Sequence, residues 1–581
     1  MAVTEVRDLA RAASLSDLRA TGRLVVNLNA HTICLFSEGE AVYAVDNRCP
    51  HMGFPLHRGT VADGILTCHW HHARFDLCSG GTFDQFADDL QRFAVEIDGD
   101  DVYVDLTPRE DRVAHQRKRL RDGLERNIPL VLAKATITLA EADSSGVEVL
   151  RSGLEFGVER RGDGWGRGLT TLSCFMNLVP WLDAGDVPVA LYHGLADVSA
   201  EAAGVPPRFP LDPLPSTEVD PAQLARWFRG FVEVRDSEGA ERALVSAVRA
   251  GASPTELADM LFAAATDHRY LDLGHALDFT SKALEALDVA GWEHAEAVLA
   301  SLPAQIASAQ RMEESNAWRN PVDLVDVLES SFEQLHDALR AGSAHRDAWA
   351  GRGELVGIVL GDDAAAAADA LLAALRTGAT EIDLASCVSF AAATRIARFP
   401  TTNEFGDWDT ALHTFTFANA VEQGLRRTAT PELLRGVFDA AMSVYLDRYL
   451  NVPAKRLPVP ELVAGPGALL VELPVLLDRQ QQVDEAGELI ASYLASGGDA
   501  RQLVVALGSA LVREDRNFHT IQCLEAATRQ HELLSGEEAA LPLIAAGRYL
   551  AAHATTTRSQ RQTFDIARRL HRGEKLYEDA A

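Results

Sequence analysis

Two cysteines and two histidines, packed into a short stretch, constrain this chain more than any other feature. They read Cys49-x-His51, then sixteen residues, then Cys68-x-x-His71. Thiolates and imidazoles in such pairs select transition metals, so the fold must bring two loops together around one centre. Gly53, Pro55 and Gly59 lie beside the first pair and supply the turns that let backbone N–H groups face a ligand. Two Cys and two His could also make a tetrahedral zinc site. Zinc fingers do not usually split their ligands into Cys-x-His on one Gly/Pro loop and Cys-x-x-His on another. An iron–sulfur site is therefore the expected reading.

The residues around the motif say what carries it. Short segments rich in Val, Ile, Phe and Tyr alternate with polar positions at Arg23–Leu28, Thr32–Ser37, Ala41–Asp46, Gly64–Cys68, Arg92–Ile97 and Val102–Leu106. That period of two, broken by Gly, Asp and Asn, predicts a small antiparallel all-β domain over residues 1–106. Asp98-Gly99-Asp100 predicts a hairpin turn. A charged segment follows, Arg109–Asn127, expected as a solvated linker helix over 107–127. From 128 to 581 apolar residues recur at spacings of three and four, as in Glu256–Ala265, Ala364–Leu375 and Val483–Leu494. The fold class is thus multidomain: a small antiparallel β domain, then a large all-α domain. Thr136–Gly157 reads as a short β excursion within it. Ala252–Ala265 resembles Ala429–Ala441, each opening on Ser/Thr-Pro and each followed by Arg-Tyr-Leu, so an internal duplication is an even expectation.

The N-terminal motif, with the downstream Ala73-Arg74-Phe75-Asp76 and Gly80-Gly81, resembles the Rieske [2Fe–2S] family. The resemblance implies that Cys49 and Cys68 hold one iron of a [2Fe–2S] cluster, and that His51 and His71 hold the outer one, with imidazole edges facing solvent or an electron partner. Two neutral imidazoles reduce the negative charge around the iron and raise its potential above that of an all-cysteine cluster. Respiratory members carry an additional cysteine in each loop. Here Phe54 and Trp70 stand near those places, so the resemblance is to the ferredoxin and oxygenase branch.

The helical part lacks the Asp-x-x-His-x4-His iron motif of ring-hydroxylating Rieske oxygenases. Instead four histidines, His193, His275, His413 and His519, each follow an apolar or Gly residue and precede a small residue and then a large apolar one. Neutral imidazoles aimed inward from four helices suit a non-haem Fe(II). These segments resemble the questin-oxidase-like family of helical enzymes, which oxygenate or oxidatively open polycyclic aromatic polyketides. Lys282, seven residues beyond His275, falls on the same helix face and is a candidate base or carbamylated ligand. His268 and Asp272 are candidate ligands or orienting residues on that face. The expected function is an oxidoreductase in which the cluster relays electrons to this iron, which activates O2 against an aromatic or polyketide-like substrate. The alternative is an electron-transfer protein or redox sensor with a non-catalytic helical docking domain.

Charge and motif searches narrow the partners. The net charge of −30 disfavours nucleic acid. No apolar run is long enough for a membrane helix, and Met1–Ala13 lacks a secretory pattern, so a cytoplasmic protein is expected. No phosphate-binding Gly pattern is present, so electrons are expected from an external reductase or ferredoxin. The Gly-rich turn Arg161–Gly166 is expected as a mobile loop. A homo-oligomer is left open.

Overall fold

A computed structural model describes residues 8–107, 112–160, 164–215, 218–346 and 349–576. Contacts divide the chain into two compact units, residues 1–144 with 562–581, and residues 145–561. This division differs from the expected boundaries at 106/107 and 127/128: it groups two helices and the C-terminal stretch with the β domain.

The first unit is built on nine strands, β1 (Leu9–Ser14), β2 (Arg23–Leu28), β3 (His31–Glu38), β4 (Ala41–Asp46), β5 (Thr60–Ala62), β6 (Ile65–Thr67), β7 (Arg74–Asp76), β8 (Arg92–Asp98) and β9 (Asp101–Asp105). Six form one sheet in the order β1-β9-β8-β4-β3-β2, and β5-β6-β7 form a second. All pairings are antiparallel, as the alternation predicts. A short helix, α1 (Leu15–Thr21), is capped by the Ser14 side chain. The expected hairpin at Asp98–Asp100 is the β8–β9 turn, with Gly99 at φ +59. One apolar cluster lies beneath the cysteine loops and includes Phe36, Leu56, Leu66, Phe75 and Leu77.

Two helices follow, α2 (Arg112–Arg126) and α3 (Pro129–Ala142). α2 is not a solvated linker. It buries Leu120, Gly123 and Leu124. Its His115 and Arg119 reach Asp88 of the β domain at 2.9 and 3.1 Å. Residues 108–111 of that charged segment lie outside the described residues. The expected β excursion over Thr136–Gly157 is instead α3 running into a further helix, Val147–Arg160. The β-branched Thr136, Ile137 and Thr138 favour strand locally. Pro129 in the first turn and burial of nearly every residue from Val131 to Ala140 outweigh that preference. The C-terminal helix, Ser559–His571, belongs to this unit from residue 562 onward. Its Leu570 carbonyl accepts from Arg48, and His571 pairs with Glu141 of α3 at 2.8 Å.

All the regular secondary structure in the described residues of the second unit is helical. The two similar segments found in the sequence form equivalent helices, Pro254–Asp267 capped by Ser253 and Pro431–Asp447 capped by Thr430. The arginine after the first reaches the second: Arg269 is buried against Asp439 at 2.9 Å. Part of the Gly-rich turn, Arg161–Asp163, lies outside the described residues. The rest is fixed: Trp165 is buried, its indole N–H donates to Thr170 at 2.9 Å, and Gly166 precedes the helix Arg167–Leu178.

Candidate functional site

The first cysteine loop follows β4. Gly53 donates its N–H to the Cys49 carbonyl at 2.7 Å, and Cys49 N–H donates to the Phe54 carbonyl at 2.8 Å. Gly53 has φ +78, which favours glycine, and a Cβ there would press on the Leu570 side chain at 3.1 Å. The second loop follows β6 and closes through Cys68 N–H to the Ala73 carbonyl at 2.8 Å.

Together the loops bring the four residues to one place. The His51 and His71 rings are 4.9 Å apart. Both cysteines are buried and their sulfurs are within hydrogen-bonding reach of each other. That contact raises Cys49, which burial raises further. It lowers Cys68 to about 6, helped by the N–H groups of Trp70 and His71. His51 and Met52 likewise turn their N–H groups on Cys49. Burial, then the charge of Lys134, lowers His51 to about 4, so it is neutral at pH 7. Its Nδ1 is buried without a hydrogen-bond partner. A buried orphan imidazole nitrogen, on the same loop as one of two cysteines that backbone N–H groups already solvate, fits a cluster held by Cys49, Cys68, His51 and His71. His69 and His72, beside the ligand positions, are exposed loop residues.

The second unit holds another group of donors. His275, His413 and His519 each place a ring nitrogen within 4.8 Å of the others. They come from three helices, His275–Ala290, Phe405–Arg427 and Phe518–Leu533. His413 Nε2 and His519 Nε2 stand 3.0 Å apart. Burial, then the neighbouring imidazoles, lowers His275 to about 3, and burial lowers His413 to about 4. Both are neutral at pH 7 and offer lone pairs. The chain reaches His275 through a left-handed run: Tyr270, Asp272, Leu273 and Gly274 have φ of 45, 50, 56 and 92. Such non-glycine residues each cost of order 1 kcal/mol and concentrate at functional sites. Phe279 and Phe518 lie 5.1 and 5.7 Å from the His275 ring.

Sequence reasoning missed the carboxylate behind this group. Asp409 lies 3.5 Å from His519 Nδ1 and 3.5 Å from His553 Nε2, and accepts from the Tyr549 hydroxyl. These partners overcome its burial and hold it well below the usual carboxylate range. Its signal in the sequence is the spacing Asp409-x-x-x-His413, one helical turn on the same face.

Other candidates lie elsewhere. His193 is buried with its ring 6.2 Å from Phe175 and 5.9 Å from Tyr192, outside the three-histidine group. Lys282 is buried against Glu525 at 2.8 Å and Glu285 at 3.0 Å. Burial alone would lower it, but the two carboxylates outweigh this and hold it above its ordinary value. It is neither a free base nor in the histidine group. His268 is held by Glu313 at 2.7 Å and Glu233 at 3.1 Å. Asp272 is exposed.

Comparison with known proteins bears on the first site. Residues 9–92 match the Rieske [2Fe-2S] domain family. The human protein called apoptosis-inducing factor 3 is 34% identical over 80 residues, 14% of this chain and 13% of that one, so the match spans only about an eighth of that relative. The ferredoxin component of a naphthalene 1,2-dioxygenase system from Pseudomonas putida is 27% identical over 97 residues, 16% of this chain and 93% of its own. The ferredoxin subunit of a 3-phenylpropionate/cinnamic acid dioxygenase from Shigella flexneri serotype 5b (strain 8401) is 33% identical over 76 residues, 13% of this chain and 72% of its own. No helix among the described residues is long and apolar enough to cross a membrane.

Proposed function

Since the chain belongs, through its N-terminal domain, to the Rieske [2Fe-2S] family, we propose that it is an oxidoreductase whose second unit carries a three-histidine non-haem iron. The single observation that carries this reading is the convergence of His275, His413 and His519 from three helices onto one point. When bound, the cluster supplies one-electron transfer and the second iron supplies O2 activation. Cys49, Cys68, His51 and His71 hold the cluster, and the exposed His71 presents the edge toward an electron donor. The donor is an external reductase or ferredoxin.

In the second unit, His275 and His413 stay neutral because burial disfavours their charged forms. Three imidazoles without a carboxylate would leave coordination positions open on a bound iron. Asp409 acts on His519 from behind, fixing which ring nitrogen faces His413. Phe279 and Phe518 provide an apolar wall on the His275 side. That wall and the likeness of the His-led helices to questin-oxidase-like enzymes support an aromatic or polyketide-like substrate. The working location is the cytoplasm.

Iron and acid-labile sulfide counts test this. The expectation is two sulfides and three irons per chain, with one iron lost and both sulfides kept when His275 or His413 becomes alanine. Two irons in parent and variants alike would sink the oxygenase reading. It would leave the second, favoured by the 93% coverage of a ferredoxin component: an electron carrier or redox sensor with a helical docking domain.

A further inference from the structure

The Rieske match ends at residue 92, yet one side chain from beyond it sits on a ligand loop. Lys134, at the middle of α3, donates from Nζ to the Pro50 carbonyl at 2.7 Å and to the His51 carbonyl at 2.5 Å. These two carbonyls belong to the turn that carries Cys49 and His51. We infer that Lys134 sets the reduction potential of the cluster, its ammonium favouring the reduced state while it pins the first ligand loop.

Reduction adds one electron and no proton is needed for the balance: the cluster with its two thiolates becomes one unit more negative. A cation fixed nearby stabilises that added charge and raises the potential. The neighbours of Lys134 do not cancel it. Burial, the largest influence, weighs against its charge and lowers Lys134 to about 8; Asp88 and Cys49 favour the charge, and Arg119 and Arg48 oppose it. Asp88 is itself shared between His115 and Arg119. Lys134 also lines a cavity of about 260 Å³ bordered by Cys49, Asp46, Arg48 and Leu570. The two hydrogen bonds have a second effect. They fix the turn in which the His51 and Met52 N–H groups point at Cys49, a polarity that also favours the reduced cluster.

The inference rests on the Rieske reading, and one experiment separates the two. The full-length, cluster-loaded protein and its K134R, K134Q and K134M variants are titrated electrochemically, following visible absorption, with electron paramagnetic resonance on each reduced sample. A Rieske-type resonance in every sample establishes the cluster independently of Lys134. The expected result is a lower potential in K134Q and K134M, by about tenfold in the reduced-to-oxidised ratio, or about 59 mV for one electron. K134R should stay near the parent. If K134M fails to hold the cluster, the K134Q and K134R pair decides. Equal potentials in K134Q and K134R with intact resonances overturn the inference. Loss of the resonance from the parent protein overturns the Rieske reading instead.

Discussion

Replacing Asp409 by asparagine keeps the shape of the side chain and removes its charge. The carboxylate stands 3.5 Å from His519 Nδ1, at the long end for a hydrogen bond. Charge-assisted hydrogen bonds contribute about 1.5–3 kcal/mol, and this length argues for the lower value. At about 1.4 kcal/mol per decade, a loss of about 1.5 kcal/mol weakens metal binding about tenfold, the bottom of the range found for carboxylates behind metal-bound histidines. Asparagine can still accept from Tyr549, so the fold should survive. The assay is anaerobic competition between D409N and a chromophoric chelator for Co(II), with the cluster intact and its absorption as an internal standard. An unchanged affinity, at unchanged far-ultraviolet circular dichroism, would refute the argument that Asp409 orients His519.

Three further outcomes are expected. K282M should cost about 3 kcal/mol, because Glu285 and Glu525 lose a buried countercharge while Arg529, 3.2 and 3.1 Å from them, compensates in part; an iron count that falls with it would show that Lys282 belongs to the metal site after all. Asp447 should make the fold less stable as pH rises: burial pushes it up to about 7, against Thr414 and Arg395, from an ordinary 3.8. The folded state therefore holds its proton more tightly, and stability is lost between about pH 4 and 7. D447N should flatten the fall in melting temperature across that window, and parallel profiles for the two proteins would contradict this. C68A should abolish the visible absorption and the reduced-state resonance, and a surviving spectrum would exclude Cys68 as a ligand.

The ligand loops were legible because their information is local. The spacing of Cys49, His51, Cys68 and His71 and the glycine at Gly53 are properties of two turns, and strand alternation located the sheet around them. The helical site was legible only in part. The shared context of His193, His275, His413 and His519 marks a histidine on an apolar helix face, but it does not encode where that face points. Three faces converge and the fourth packs on Phe175 and Tyr192. Lys282 sits on the expected helix, yet pairing with two distant glutamates turned it into a structural cation. Lys134 went unnoticed although it is the single charge in the mostly apolar Leu130–Ile137. Its partner carbonyls are more than eighty residues earlier, so only the assembled unit reveals their use. The expectation of a strand at Thr136 failed because local propensity there opposes a burial pattern that only a helix satisfies.

The first unit is discontinuous along the chain: residues 1–144 and 562–581 bracket the whole of the second. This has a consequence for synthesis. A ribosome makes residues 145–561 before the stretch whose Leu570 accepts from Arg48 and crowds Gly53. The stretch of chain that forms the helical unit is therefore made before the first cysteine loop meets this late neighbour.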